Sequence, residues 1–490
     1  MSALTSLAQL QAADAGIAQP VATVRHCHIA DDPLVLIPLK LAGEAAAPLA
    51  VMLGSGPDDP SLLVVPQPRN RDLRFAFAAD LAKLVLNHIE TSRGAVEELP
   101  PGKEGDERIR YGNAPQLLVP NRGGVGFLRL LGRSTRFRST EGAYAVDPAV
   151  PVLGRWLTWF ADRYDHPGSS LLRAMTEVLR LHWATGQSSL EDGNLAALLG
   201  WIDPPDGLDG PAAAARAEDP LTYPPAGPAT DPTFDNEVLA PAIASYDRSG
   251  RDERAEERLR TALASQLTPT WGLMWRAVGL LRALPEGASV PGRWERDRDA
   301  FTYYHQTFGE AYPQARRDPP VRAARRLHDL ERAQDAYDAQ RAFDDPLVMA
   351  EYRLAGQAFG GVVTECDPAR LDETGKRPKL RPHLRVGTED PVRLDVGTTV
   401  CNAARPALKG RIVEFGDGGV LLELTGGMGR KLVPEPGSVP RVGDRVCFTS
   451  LTEGSWGAAK FPDREDTPWT HGGPPEEYVP NDEDAEEEWS

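Results

Sequence analysis

Arg411-Ile412-Val413-Glu414-Phe415-Gly416-Asp417-Gly418-Gly419-Val420-Leu421-Leu422-Glu423-Leu424 is the stretch that decides the fold of the C-terminal half. Two runs that alternate apolar and polar residues flank an Asp-Gly pair. Both loop residues of a tight hairpin must tolerate positive φ, so the spacing predicts a β-hairpin. The pattern continues on either side. Residues 392–396 alternate in the same way, and Arg445-Val446-Cys447-Phe448 follows a turn at 440–444. Short alternating runs from 388 to 451 predict a small β-barrel, SH3-like or OB-like. Such barrels are usually binding modules, which tilts the reading toward binding over catalysis.

We assign the barrel to residues 362–456 and a pair of charged stalk helices to 318–361. Asp318-Pro319 opens the first with a capping residue and Pro at the first position. Val321, Ala324, Leu327, Leu330 and Tyr337 form a narrow apolar seam, and Arg, Asp and Glu crowd the other faces. This is the pattern of an exposed stalk or a short coiled coil. Asp345-Pro346 begins the second helix, read as ending near Gly360-Gly361. Residues 463–490 hold 11 acidic residues against Arg464 alone. That composition predicts a disordered acidic tail over 457–490.

In architecture, residues 318–455 resemble the barrel that some superfamily 1 helicases carry on helical stalk segments. Those enzymes need Walker motifs, which this sequence lacks. The resemblance therefore brings over no activity and no residue.

The N-terminal half reads differently. Residues 1–150 are predicted to form an α/β domain, with apolar runs at 34–39, 50–53, 62–65 and 117–119. Two places share one arrangement, a strand, Pro, an Asn-Arg loop and then a helix: residues 62–71 and 117–122. Residues 151–317 are predicted to be a helical domain. Ser169 and Ser170 are read as caps of a helix from Leu171 to Trp183. Trp271, Met274, Trp275, Val278 and Leu281 make an apolar stripe at helical spacing. A Pro, Gly and Ala-rich stretch at 203–232 reads as a linker. The fold class expected overall is multidomain α+β: an N-terminal α/β domain, a mostly helical middle and a C-terminal barrel.

Composition sets the outer limits. A chain of 490 residues exceeds one ordinary domain. Its formal charge is −17, but the tail contributes −10 of that, so the acidity does not exclude nucleic acid. No apolar run is long enough to span a bilayer. Met1 to Gln19 lacks the pattern of a signal peptide. Cys27, Cys366, Cys401 and Cys447 are scattered, which fits a reducing, cytoplasmic setting.

The motifs of P-loop ATPases, serine hydrolases, zinc proteases and kinases are absent from the sequence. His26-Cys27-His28 offers two imidazoles where a structural zinc site needs four ligands, and is read as a surface strand. No metal and no cofactor are expected. The candidate sites are basic. If both Asn-Arg loops follow parallel strands, Arg69, Arg71 and Arg122 sit near strand ends and helix N-termini, where anions bind. Gly123, Gly124 and Gly126 would let a phosphate approach the backbone. From Arg108 to Arg138 there are seven arginines, with no acid between Arg108 and Glu141. Among these, Arg122, Arg129, Arg133, Arg136 and Arg138, interleaved with aromatics, suit phosphate contact. Lys376, Arg377, Lys379 and Arg381 form a second basic segment leading into the barrel.

These features favour an accessory binding protein without its own ATPase. Its expected partners are nucleic acid and a protein of helicase or nuclease type in a bacterial complex, with no membrane association. One alternative is an enzyme acting on an anionic or phosphorylated substrate at the Arg69, Arg71 and Arg122 loops. The other is a pure protein scaffold.

Overall fold

A computed structural model describes residues 3–101, 108–310, 320–375, 377–416 and 418–453. The expected tail at 457–490, the Asp318 cap and Lys376 lie outside the described residues. The chain divides into two compact units. One takes in Ala8–Pro20 and Arg25–Leu327. The other takes in Met1–Leu7, Val21–Val24 and the described part of His328–Ala459.

The larger unit is built on a five-stranded mixed sheet. Its strands are β1 (Leu34–Lys40), β2 (Pro48–Gly54), β3 (Ser61–Val64), β6 (Leu117–Val119) and β7 (Leu172–Ala174). A separate hairpin pairs β4 (Val96–Leu99) with β5 (Arg108–Tyr111). The sheet order is β3-β2-β1-β6-β7, with β1, β6 and β7 parallel and β2 antiparallel to both its neighbours. Each central strand is covered on both faces, which is why the sequence shows unbroken apolar runs there. Leu34 and Leu36 face one core, with α1 (Arg71–Thr91), α2 (Arg122–Thr135) and α3 (Ala149–Tyr164). Val35, Ile37 and Leu39 face the other, with α4 (Leu195–Ile202) and α6 (Glu253–Ala283).

Each Asn-Arg loop leads into a helix, α1 after Asn70 and α2 after Asn121. The Asn70 side chain accepts from the Asp72 and Leu73 amides, and that of Asn121 accepts from the Gly124 amide. Each caps its helix by satisfying N–H groups that have no intrahelical acceptor. The stripe on α6 is also found: Trp271, Met274, Val278 and Leu281 are buried.

Two readings are corrected. Residues 172–174 are not helical but form the edge strand β7, parallel to β6. Ser169 and Ser170 cap nothing there. Ser169 Oγ and the Ser170 amide donate to the buried carboxylate of Asp297, at 2.7 and 2.6 Å. The stretch at 203–232 is also more than a linker. It contains α5 (Gly210–Ala217), capped by Asp209 and packed through Ala214 and Ala217 against Trp201.

The smaller unit contains the barrel. Its walls are β8 (Ala358–Asp367), β11 (His383–Gly387), β12 (Thr399–Asn402), β13 (Arg405–Gly416), β14 (Gly419–Gly426) and β15 (Arg445–Thr449). A short hairpin of β9 (Leu371–Asp372) and β10 (Lys379–Leu380) lies between the first two. The barrel closes in the order β8-β11-β14-β13-β12-β15, every neighbour antiparallel. With six strands it is not the five-stranded OB type. Phe359, Leu384, Ile412, Leu422 and Phe448 fill it.

The expected hairpin is β13–β14, where Gly416 faces Gly419 and Gly419 has φ of 103°. Residues 392–396 are not a strand. Their alternation arises because Val392 and Leu394 pack on the barrel core while the backbone stays outside the ladder. The stalk is α8 (Pro320–Asp344) followed by α9 (Pro346–Leu354). The second helix ends well before Gly360, because residues 358–361 already pair with β15. Asp345 is fully buried and joins this unit together. It caps α9 through the Leu347 amide and accepts from the Thr23 amide and hydroxyl.

Candidate anion-binding cleft

The carboxyl ends of parallel strands are the usual ligand crevice of α/β folds. Here the chain itself fills that place. The Lys40 amide, at the end of β1, donates to the Pro228 carbonyl at 2.9 Å. The Asn121 side chain, after β6, donates to the Gly227 carbonyl at 2.8 Å. Gly123 lies so close that an added Cβ would stand 2.8 Å from the Pro228 ring. The glycine after Asn121-Arg122 therefore admits a proline, not a phosphate. Gly124 packs on Val119 in the strand below. Arg122 opens α2 and is exposed.

The loop arginines also part company. Arg69 is paired with Glu44 at 3.1 Å and lines a hollow of about 370 Å³. That hollow also contains Asp235 and Asp247, so its charge does not favour an anion. Arg71 turns the other way, into a cleft of about 210 Å³ between the first turns of α1 and the end of α2. There it meets Arg138, which the sequence places in a different basic segment, and Arg74, which sequence reasoning missed. The signal for Arg74 was available: it lies three residues after Arg71, on the same helical face.

Phe75 organises this cleft. The Arg71 guanidinium lies over its ring at 4.7 Å from the centroid, and that of Arg138 at 5.4 Å. An aromatic face attracts cations and fixes their planes. Further hydrogen bonds aim the two groups. Arg71 Nη2 donates to the Tyr144 carbonyl at 2.5 Å, and Arg138 Nε to the Ser134 carbonyl at 2.9 Å. Arg71 Nη1 also reaches Asp72 at 3.1 Å, a carboxylate largely in solvent. Arg74 is half-buried, and its side chain has no hydrogen-bond or ion-pair partner among the described residues. The Ser134 and Thr135 hydroxyls line the cleft and donate to the Leu131 carbonyl.

The rest of the arginine stretch does not form one basic surface. Arg110 is surrounded by Glu97, Glu295 and Asp299. Arg129 is held by Asp165 at 2.8 Å and by the Ala161 carbonyl. Arg136 lies over Phe137, and Arg133 is exposed on α2. In the barrel unit, Arg377 and Lys379 are exposed, and Arg381 donates to the Leu380 carbonyl.

Two further places contain histidines with close neighbours. His26-Cys27-His28 is not a surface strand. His26 and Cys27 are buried, His26 stacks on His182 and His28 stacks on Trp294. The two imidazoles thus have separate neighbours. Burial pushes His28 down to about 4, against the pull of Glu286. His88, on α1, approaches Ser55 Oγ at 3.4 Å, and burial lowers it to about 4. Among the described residues, no group of His, Cys, Asp and Glu could hold a metal ion. No helix among them is long and apolar enough to cross a membrane.

Comparison with protein-family models, with characterised proteins and with solved structures gave no match.

Proposed function

We propose that this protein binds a small anionic ligand in the cleft of Arg71, Arg74 and Arg138. The observation that carries the reading is Arg74. A half-buried guanidinium with no acceptor among the described residues gives up hydration without compensation, and an anion placed there would supply it. The two flanking arginines are already oriented by Phe75 and by backbone carbonyls, so little ordering cost remains at binding.

Binding is favoured over catalysis by the lining. General acid–base chemistry needs a titratable group within hydrogen-bond reach of the substrate. Among the described residues the cleft wall contributes arginines, a phenylalanine, two hydroxyls and aliphatic groups, with no imidazole, thiol or carboxylate. Nucleic-acid binding along the whole arginine stretch is disfavoured because Arg110 and Arg129 are neutralised by carboxylates.

Calorimetric titration with inorganic phosphate, at low ionic strength, tests the proposal. The wild type should bind, and Arg74→Ala should weaken binding roughly ten- to hundred-fold, the range for a lost charge-assisted contact. A wild type that binds no phosphate at millimolar concentration would overturn it.

A further inference from the structure

We infer that the cleft takes an aliphatic monocarboxylate, with its carboxylate on Arg74 and its short hydrocarbon chain against the apolar wall. This rests on the anion-binding reading above and deepens it to one ligand class.

The donors in the cleft are unequal. Arg74 is half-buried and has no hydrogen-bond or ion-pair partner among the described residues. Arg71 already donates through Nη2 to the Tyr144 carbonyl and through Nη1 to Asp72. Arg138 lies over the Phe75 ring and donates through Nε to the Ser134 carbonyl. A carboxylate on Arg74 needs no charge from either. The Ser134 and Thr135 hydroxyls direct their protons to the Leu131 carbonyl, so toward a ligand they offer lone pairs. The fork of Arg74 is thus the open donor set. Its planar edge offers two parallel N–H groups, which match the two oxygens of a carboxylate. Inorganic phosphate can meet the same fork through two of its oxygens, which keeps it a probe of anion binding. Its other oxygens gain nothing from hydroxyl lone pairs or aliphatic carbon.

The wall is the second observation. Ala46, Pro48, Phe75, Ala78 and Leu131 line the same cleft. Pro48, Ala78 and Leu131 are buried, and Ala46 and Phe75 are partly exposed. Apolar surface gains by being removed from water. A ligand that is only an anionic head leaves this wall wet. A hydrocarbon chain carried by the head covers it, while the carboxylate stays on the guanidinium.

Size limits the chain. The cleft measures about 210 Å³. A cavity of about 150 Å³ holds benzene, with six carbons, so this cleft takes about eight heavy atoms. That corresponds to a carboxylic acid of about six carbons. Longer chains would run out into solvent.

The test uses the full-length protein and titrates it with acetate, butyrate, hexanoate, octanoate, butylammonium and inorganic phosphate. The pH is held near 7.5, where the carboxylates are ionised. Each buried methylene raises affinity about fourfold. Butyrate, two methylenes longer than acetate, should therefore bind roughly tenfold more tightly. Octanoate, two methylenes longer than hexanoate, should gain less than about fourfold, because the cleft is already full. Butylammonium should not bind. Arg74→Ala should weaken acetate and butyrate alike, by roughly tenfold or more. Ala46→Leu places a side chain in the apolar space and should erase the gain from acetate to butyrate, with the circular dichroism of the wild type retained. Acetate and butyrate binding equally, or phosphate binding with no carboxylate binding, would overturn the inference and leave the anion-binding reading standing. Butylammonium binding as tightly as butyrate would overturn the inference too, since the head would then go unread. Binding of neither carboxylates nor phosphate would overturn both.

Discussion

Replacing Gly227 with Ala should release the segment that fills the crevice at the end of β1. Gly227 has φ of 77°, and a Cβ there would stand 2.4 Å from the Pro38 carbonyl oxygen. Pro38 belongs to a strand buried on both faces, paired with Val51 on one side, so the strand cannot yield. The segment must move instead. It would lose the Lys40 to Pro228 and Asn121 to Gly227 hydrogen bonds, about 1 kcal/mol each. Left-handed backbone at an alanine costs about another 1 kcal/mol. Some of this is offset by the smaller conformational freedom of alanine in the unfolded chain, by several tenths of a kcal/mol. The net local loss is roughly 2–3 kcal/mol, which corresponds to about a hundredfold faster opening. Hydrogen exchange at the Lys40 amide reads this directly, since that N–H is satisfied by Pro228. Unchanged protection of Lys40 in the variant would refute the idea that this segment is clamped to the sheet edge through Gly227.

Other outcomes follow from the same structure. Asp345→Ala should destabilise the barrel unit by about 3 kcal/mol, because the Thr23 and Leu347 amides lose a buried acceptor; faster exchange at both amides checks it. His88 is neutral in the fold, with a value near 4 against 6.5 when unfolded. The unfolded chain therefore binds the extra proton, and stability is full above pH 6.5 and falls as pH drops toward 4, by at most about 3 kcal/mol. Urea midpoints across pH 4–7 should show a shallower slope for His88→Gln than for wild type. Arg110→Met should lower the urea midpoint only modestly, because Glu97 keeps its pair with Arg298 and Glu295 is half exposed, and should change inorganic phosphate affinity by less than about twofold, because Arg110 serves an ion-pair network and not the cleft. A larger effect on affinity than on the midpoint would contradict that assignment.

Local rules carried far where chemistry was local. Asn70 and Asn121 announced their helices through a side chain that caps them, and the Gly-rich hairpin at 416–419 announced itself through backbone conformation. Residues 172–174 were opaque because a three-residue strand between two helical patterns leaves no period to count. Residues 392–396 misled for a different reason. Alternation reports burial on one side, and Val392 and Leu394 achieve that without joining a ladder. At 210–217 a run of alanine fell inside the stretch read as a linker, although alanine is the strongest helix former.

The candidate site was half legible. Charge and the strand-loop-helix pattern singled out Arg71, and the run without acids singled out Arg138. Their meeting depends on α1 and α2 packing into the same core on one face of the sheet, which no local pattern encodes. The same limit hid the neutralised arginines. Glu295, Asp299 and Asp165 are distant in sequence from the arginines they engage, Arg110 and Arg129.

A crystal structure of the full-length protein grown with inorganic phosphate at pH 7.5 puts the central claim to the most direct test. The account requires the phosphate between Arg71, Arg74 and Arg138, with at least two guanidinium N···O distances in the range of about 2.7–2.9 Å. Phosphate bound elsewhere with this cleft empty, or Arg74 turned out to solvent beside a bound ligand, would contradict it.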